Sequence, residues 1–432
     1  MRKLFSLYIF INFVLINTHA QQLLTPDDAV GIALKNNYNI LVAHNNAEIA
    51  KINNTIGNAG MLPNVTINGI DNYSQSNISL QNTNQNPVKY PHASSNNLNA
   101  NIALNWTLFD GGKMFITKSK LSEIETLGEI QFKEEVLQTA FDVITAYYTI
   151  VSQKQQLVAI NQVIKYNQER VKITQTSYTA GLSPKTTLLQ AKIDLNVYLE
   201  NAISQQSVII SAKRDLNQLL ARDSDATFEV IDSIPLNYTP NKEEFVSKLY
   251  SNNTSVLSYQ KQVEIAKLNL KEYNATRLPK INFNAGYNLA KIDAKQSSTV
   301  YNYSNGPIIG ASIAIPIYQS GNNLRQVATS KIQLQSAEYY LSNVKLQINV
   351  ELQNALTAYE NQKQLYEIEK ENSALAKENV EIAIERLRLG QTTSLELRQA
   401  EESFESSLTR LINFQFNLKV AETKLKQLLA IL

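Results

Sequence analysis

The chain has 432 residues, of which 40 are basic and 38 acidic; its net charge of +2 excludes the strongly basic footprint of a nucleic-acid-binding protein. It contains no Cys, which excludes a disulfide scaffold, a thiolate metal site, a Cys nucleophile and an acylated N-terminal Cys. Three His are present, His19, His44 and His92, too far apart in sequence to suggest a metal or acid–base cluster.

Residues 1–20 have the build of a secretory signal. Arg2-Lys3 supplies the positive start, Leu4 to Ile16 the apolar run, and Thr18-His19-Ala20 a small-residue cleavage site before Gln21. The run is short and is interrupted by Ser6 and Asn12, which favours cleavage over anchoring. No later segment has the roughly eighteen consecutive apolar residues that a spanning helix needs. Any membrane crossing must therefore be made by strands.

A helix is expected over 27–58, opened by Pro26-Asp27-Asp28 and stopped by Gly57, Gly60 and Pro63. A strand over 64–74 follows, in which Val65 and Ile67 alternate with Thr66 and Asn68. Residues 74–97, rich in Asn, Ser and Gln with Pro87 and Pro91, read as a long polar loop. The next strand, 98–109, points Leu98, Ala100, Ile102, Leu104, Trp106 and Leu108 one way and Asn99, Asn101 and Asn105 the other.

From Lys113 to Ser177 there is no Pro, and apolar residues recur at three- and four-residue spacing. This is one helix of 65 residues, about 98 Å at roughly 1.5 Å per residue. Gly181-Leu182-Ser183-Pro184 breaks it, and a second helix returns to Ala221, making a hairpin over 113–221 with its tip near 181. Residues 222–242, with Pro235 and Pro240, form a linker.

The chain then repeats itself. Leu62-Pro63 recurs 216 residues later as Leu278-Pro279, and Asn36-Asn37 falls on Asn252-Asn253 at the same offset. The second half is expected to hold a helix over 243–277, strands over 280–290 and 307–318, and a hairpin over 322–432 with its tip near 390. The fold expected is mainly α with membrane β-strands, built as a duplicated helix–strand–strand–long helical hairpin.

Strands 98–109 and 307–318 are uncharged on both faces, and Tyr73, Trp106, Tyr287 and Tyr318 lie near strand ends, the pattern of lipid-spanning barrel strands. Four strands cannot close a barrel, for which about eight is the practical minimum. Strands must then be shared between chains, eight in a dimer or twelve in a trimer.

In this order, and twice over, these features resemble the TolC-like outer-membrane efflux protein family across essentially the whole mature chain. The resemblance is carried by the duplicated Leu-Pro before an alternating strand and by Trp106-Thr107-Leu108-Phe109-Asp110-Gly111-Gly112 at the strand-to-helix turn. Its second copy is Ile315-Pro316-Ile317-Tyr318-Gln319-Ser320-Gly321. The hairpin-tip Gly followed nine residues later by Gln190-Ala191 and Gln399-Ala400 completes it.

What the resemblance implies is a homotrimer with a 12-stranded β-barrel in outer-membrane lipid, continuous with a periplasmic α-helical barrel. It implies an exit duct for an inner-membrane transporter of a tripartite efflux or type I secretion system, joined through a periplasmic adaptor, with no cofactor, no metal and no nucleic acid. It also implies docking of the adaptor at Ala180, Gly181, Leu182 and Ser183 and at Leu389, Gly390, Gln391 and Thr392. Family members narrow the inner end of the tunnel with Asp residues; the matching positions hold Glu396 and Gln399, and in the first repeat Thr187 and Gln190. Only Glu396 keeps a carboxylate: either three Glu396 side chains on a trimer axis attract cations and bias permeation, or Gln399 and Gln190 close the constriction by hydrogen bonds instead.

Two other readings compete with this one. A secreted trimeric coiled-coil surface protein would want a large exterior domain, and only the loops 74–97 and 291–306 offer one. An enzyme would want an active-site constellation. Gly181-Leu182-Ser183-Pro184-Lys185-Thr186 lacks the second Gly and the preceding strand of a phosphate loop, and no Ser-His-Asp set can be assembled.

Overall fold

The computed structural model describes residues 23–81, 83, 86–296 and 299–432; the expected signal, residues 1–20, lies outside them. The chain runs β1 (Leu23–Leu24), α1 (Pro26–Asn36), α2 (Tyr38–Asn53), β2 (Asn64–Leu80), β3 (Val88–Asp110), α3 (Lys113–Thr179) and α4 (Lys185–Leu219). It continues through β4 (Glu229–Val230), α5 (Lys242–Asn252), α6 (Thr254–Ala275), β5 (Lys280–Lys295), β6 (Tyr301–Ala314), α7 (Asn322–Arg388) and α8 (Ser394–Leu428). Two compact units result, one from residues up to Ile40, Val136–Phe245 and Leu352–Leu432, the other from Leu41–Glu135 and Val246–Glu351.

The first unit holds the hairpin ends of the long helices. An apolar layer packs Ala29 and Ala33 of α1 against Val143, Tyr147, Ile150 and Val151 of α3, Leu216 of α4 and Phe228. Here β1 pairs in parallel with β4, Leu23 opposite Glu229 and Leu24 opposite Val230. Tyr147 ties this ribbon down: its hydroxyl donates to the Leu24 carbonyl at 2.6 Å and accepts from the Ile231 N–H at 3.0 Å.

The second unit holds a four-stranded antiparallel sheet in the order β2-β3-β5-β6. Its alternation is clean. Asn64, Asn105 and Asn284 stand in one row across β2, β3 and β5, and Asn68, Asn101 and Asn288 in another. The opposite face aligns Ile67, Ile102 and Tyr287, and likewise Val65, Leu104, Ala285 and Ile309. Among the described residues, the outer edges of β2 and β6 have no strand partner. Among the described residues no helix is long and apolar enough to cross a membrane.

The structure corrects several expected boundaries. Neither short helical segment is continuous: 27–58 is split at Asn37 and 243–277 at Asn253. Each Asn is extended and caps the helix that follows. The Asn37 side-chain oxygen accepts from the N–H groups of Asn39 and Ile40, and that of Asn253 from Val256. The repeated Asn-Asn is therefore a repeated helix break.

The expected loop 74–97 is mostly strand, since β2 and β3 pair as far as Leu80 opposite Val88. Polar side chains conceal a strand when neither face has to bury an apolar stripe; the ladder itself needs only backbone groups. Pro91 fits because it neighbours a register shift between Ser76 and Ile78, where Asn77 accepts from the His92 N–H at 2.9 Å. Similarly, 291–306 is largely strand, with β5 reaching Lys295 and β6 starting at Tyr301.

The last strand ends at Ala314 rather than at 318, because Pro316 has no N–H for the ladder. On β3, a bulge between Thr107 and Phe109 places Phe109, not Leu108, opposite Ile281, so the alternation through Trp106 stops there. Gly111 follows with φ +77°, and a Cβ there would lie 2.4 Å from the Ala275 carbonyl oxygen. Only Gly fits this turn.

Candidate functional site at the hairpin tips

The two tips are built alike. α3 ends in a left-handed Gly181 (φ +68°), with Leu182 N–H donating to the Ser177 carbonyl at 2.9 Å. α7 ends in Gly390 (φ +68°), with Gln391 N–H donating to the Arg386 carbonyl at 2.8 Å. Both are six-to-one closures around a positive-φ Gly, which terminates a helix and reverses the chain. The return helices begin after Pro184, which offers no side-chain cap, and after Thr393, whose hydroxyl accepts from the Glu396 N–H at 3.2 Å.

The tips thrust apolar side chains outward. Leu182 is 82% exposed and Leu389 69% exposed. Gly181, Gly390, Ala180 and Gln391 are exposed with them, while Ser183 and Thr392 are half-buried.

Of the four constriction candidates, Gln190, Glu396 and Gln399 are exposed and Thr187 is half-buried. The Glu396 carboxylate accepts from the Thr392 hydroxyl one turn earlier. Gln190 donates to Asp194 at 2.7 Å. Thr187 and Gln190 share a cleft of about 410 Å³ with Arg170, Asp194, Thr393 and Arg398; Glu396 and Gln399 do not line it.

Behind the tips lies a buried charge cluster that sequence reading missed. Arg170 of α3 is 1% exposed and donates to Asp194 of α4 at 2.9 Å and to Asn167 at 2.5 Å. Its Nε lies 3.4 Å from Glu401 of α8, which is also 1% exposed. Arg398 of α8 stands 3.9 Å from the same Asp194. The cluster adjoins an apolar layer of Val163, Val380, Ile384, Leu397, Ala400 and Phe404, with Tyr166 edge-on to Phe404 at 5.8 Å between ring centres.

The signal for it was in the helical stripes. Val163, Asn167, Arg170 and Thr174 recur at three- and four-residue spacing, as do Leu397, Glu401, Phe404 and Leu408. A charge in a core-facing stripe marks a buried ion pair or a functional group. Burial is the main cause that pushes the Glu401 carboxyl up to about 7; Arg170 opposes the shift, while Asp194 and Glu402 add to it. Tyr198 is pushed upward as well, first by burial and then by its bond to Glu405. Among the described residues no group of acidic or His side chains is arranged to hold a metal ion.

A duplicated chain with an Asn-faced, edge-open sheet and paired long hairpins defines a class. The chain belongs to the outer membrane efflux protein family, whose model matches residues 29–222 and 245–430. The gap between the two matches coincides with the linker between the repeats.

It is 21% identical over 333 residues to the outer membrane efflux protein BepC of Brucella suis biovar 1 (strain 1330), covering 74% of this chain and 69% of BepC. Its fold is that of the outer membrane protein VceC of Vibrio cholerae, with a TM-score of 0.76 at 16% identity over 94% of this chain and 96% of VceC. The Campylobacter jejuni CmeC outer membrane channel is similar, with a TM-score of 0.76 at 15% identity over 94% and 85% of the two chains. The protein is thus a TolC-like efflux channel of the outer membrane and not an enzyme.

Proposed function

We propose that the chain forms, as a homotrimer, the exit duct of a tripartite efflux or type I secretion system. Substrate would pass without chemistry from an inner-membrane transporter, through a periplasmic adaptor docked at the hairpin tips, to the exterior. The observation that carries the sharing of strands between chains is the open sheet, and the family likeness supports three copies over two. In lipid, the unpaired edges of β2 and β6 cost several kcal/mol per unsatisfied backbone group. Pairing β2 of one chain with β6 of the next removes both edges, and three copies give twelve strands.

The adaptor reading is supported by the two tips. Each carries an exposed Leu beside a rigid Gly reversal, a shape suited to packing against another helical hairpin. The test is the native mass of the protein extracted from isolated outer membranes. Three chains support the shared barrel; a soluble periplasmic monomer overturns it, and a dimer points to an eight-stranded barrel instead.

Conduction at the tips gives a second test. With Glu396 the one carboxylate among the four constriction positions, Glu396→Gln is expected to lower cation preference in single-channel recordings by about two-fold or less. A larger collapse of selectivity would mean that three Glu396 side chains form the selectivity ring. An unchanged preference would leave the two Gln as the constriction.

A further inference from the structure

We propose that Glu401 is a proton-operated latch between the two helical hairpins: protonated, it lets α8 pack against α3 and α4; ionised, it loosens that junction. The latch rests on the duct reading only for what the loosened tips do, because the proton site is defined by its own neighbours.

Neither carboxylate oxygen of Glu401 accepts a hydrogen bond, and both are closed to solvent. The cation beside it, Arg170, presents an Nε at 3.4 Å that is itself without a hydrogen-bond acceptor. That guanidinium is committed elsewhere, its Nη2 serving Asp194 and Asn167. Asp194 also holds Gln190 and lies near Arg398. Asp194 is therefore the carboxylate that Arg170 neutralises, and Glu401 is a second one left over.

The groups facing Glu401 leave the balance negative. α3 brings Arg170; α4 brings Asp194 and Tyr198; α8 itself brings Arg398, Glu402 and Glu405. α7 contributes Val380 and Ile384 to the adjoining layer, while its Glu381 bonds Tyr166. An ionised, unbonded carboxylate is costly at such a place, and a proton removes the cost. Because the oxygens are sealed, an amine or a metal ion cannot reach them without parting the helices. A proton can.

The sign follows from linkage. Glu401 holds its proton to about 7 in the folded chain against an ordinary 4.5, so the folded state binds more protons between those values. The junction is then tightest in acid, weakens as pH rises through that window, and is loosest above neutral. Gln190 couples the latch to the tips by its bond to Asp194.

The absence of native Cys allows the test to be made in the full-length protein in its native membrane. Spin labels on Lys192→Cys in α4 and Ser403→Cys in α8, both exposed positions, report the junction by pulsed electron resonance between pH 5.5 and 8.5. The expected result is a narrow distance distribution in acid that lengthens or broadens with a midpoint near neutral. Glu401→Gln should hold the acid distribution at every pH. Asp194→Asn, which frees Arg170 for Glu401, should shift the midpoint by ten-fold or more in proton concentration, toward acid.

A distribution that does not change with pH overturns the latch, as does a transition that survives in Glu401→Gln. If Glu401→Gln fails to fold, the Asp194→Asn shift decides. Bilayer conductance of the same samples separates the two readings: pores without the transition refute the latch alone. A transition in a protein that forms no pore refutes the duct and leaves the latch standing.

Discussion

Truncating Phe404 to Ala is expected to destabilise the hairpin junction by about 3–5 kcal/mol, the range for emptying a buried aromatic site. Phe404 is 1% exposed and fills the layer made by Val163, Val380, Ile384, Leu397 and Ala400. Three helices, α3, α7 and α8, meet around it, so no single one can move in to collapse the cavity. The edge-on contact with Tyr166 is lost as well, at about 0.5–1.5 kcal/mol beyond its area. The measurement is the guanidinium midpoint of the detergent-extracted protein, with Ser403→Ala, an exposed neighbour on α8, as the control. Backbone hydrogen exchange over 394–408 should quicken in Phe404→Ala. A midpoint equal to that of Ser403→Ala would mean that the layer is not a stability element.

Placing a charge on the apolar face of the sheet should block assembly. Ile102 sits between Ile67 of β2 and Tyr287 of β5 and is half exposed. If this face meets lipid, Ile102→Arg costs about 2–4 kcal/mol near the bilayer midplane. The expected result is a several-fold loss of oligomer in the outer-membrane fraction. Asn101→Arg, one residue away on the Asn-rich face, should assemble far better because that face borders water. Equal yields from the two variants would assign the faces differently. A severe loss in Asn101→Arg alone would reverse them.

Much of this architecture is plain in the residues because its periodicities are long. A helix of 67 residues without Pro, twice over, leaves no alternative reading, and a repeat offset of 216 confirms one half by the other. Polar segments defeated that logic. Ser74 to Asn97 alternates only briefly, at Ile78 and Leu80 and at Val88 and Tyr90, yet most of it is strand, since an exposed ribbon is held by main-chain pairing and leaves little trace in side-chain pattern. Asn37 and Asn253 misled differently: within a helical stretch each looks like an ordinary polar residue, and only its bond to the next turn's N–H groups reveals a cap.

The class of the protein is legible in the residues alone. Composition removed metal, thiol and polyanion chemistry; uncharged alternation assigned the strands to lipid; duplication and the Gly-marked tips pointed to the efflux channel family. These are local or repetitive properties, written in spacing. Which charges share a buried site emerges only once the helices pack. Arg170, Asp194 and Glu401 come from three helices, with Glu401 more than 200 positions beyond the other two. Whether such a carboxylate is paired or left over depends on ångström-scale competition for one guanidinium, and no one-dimensional pattern records that.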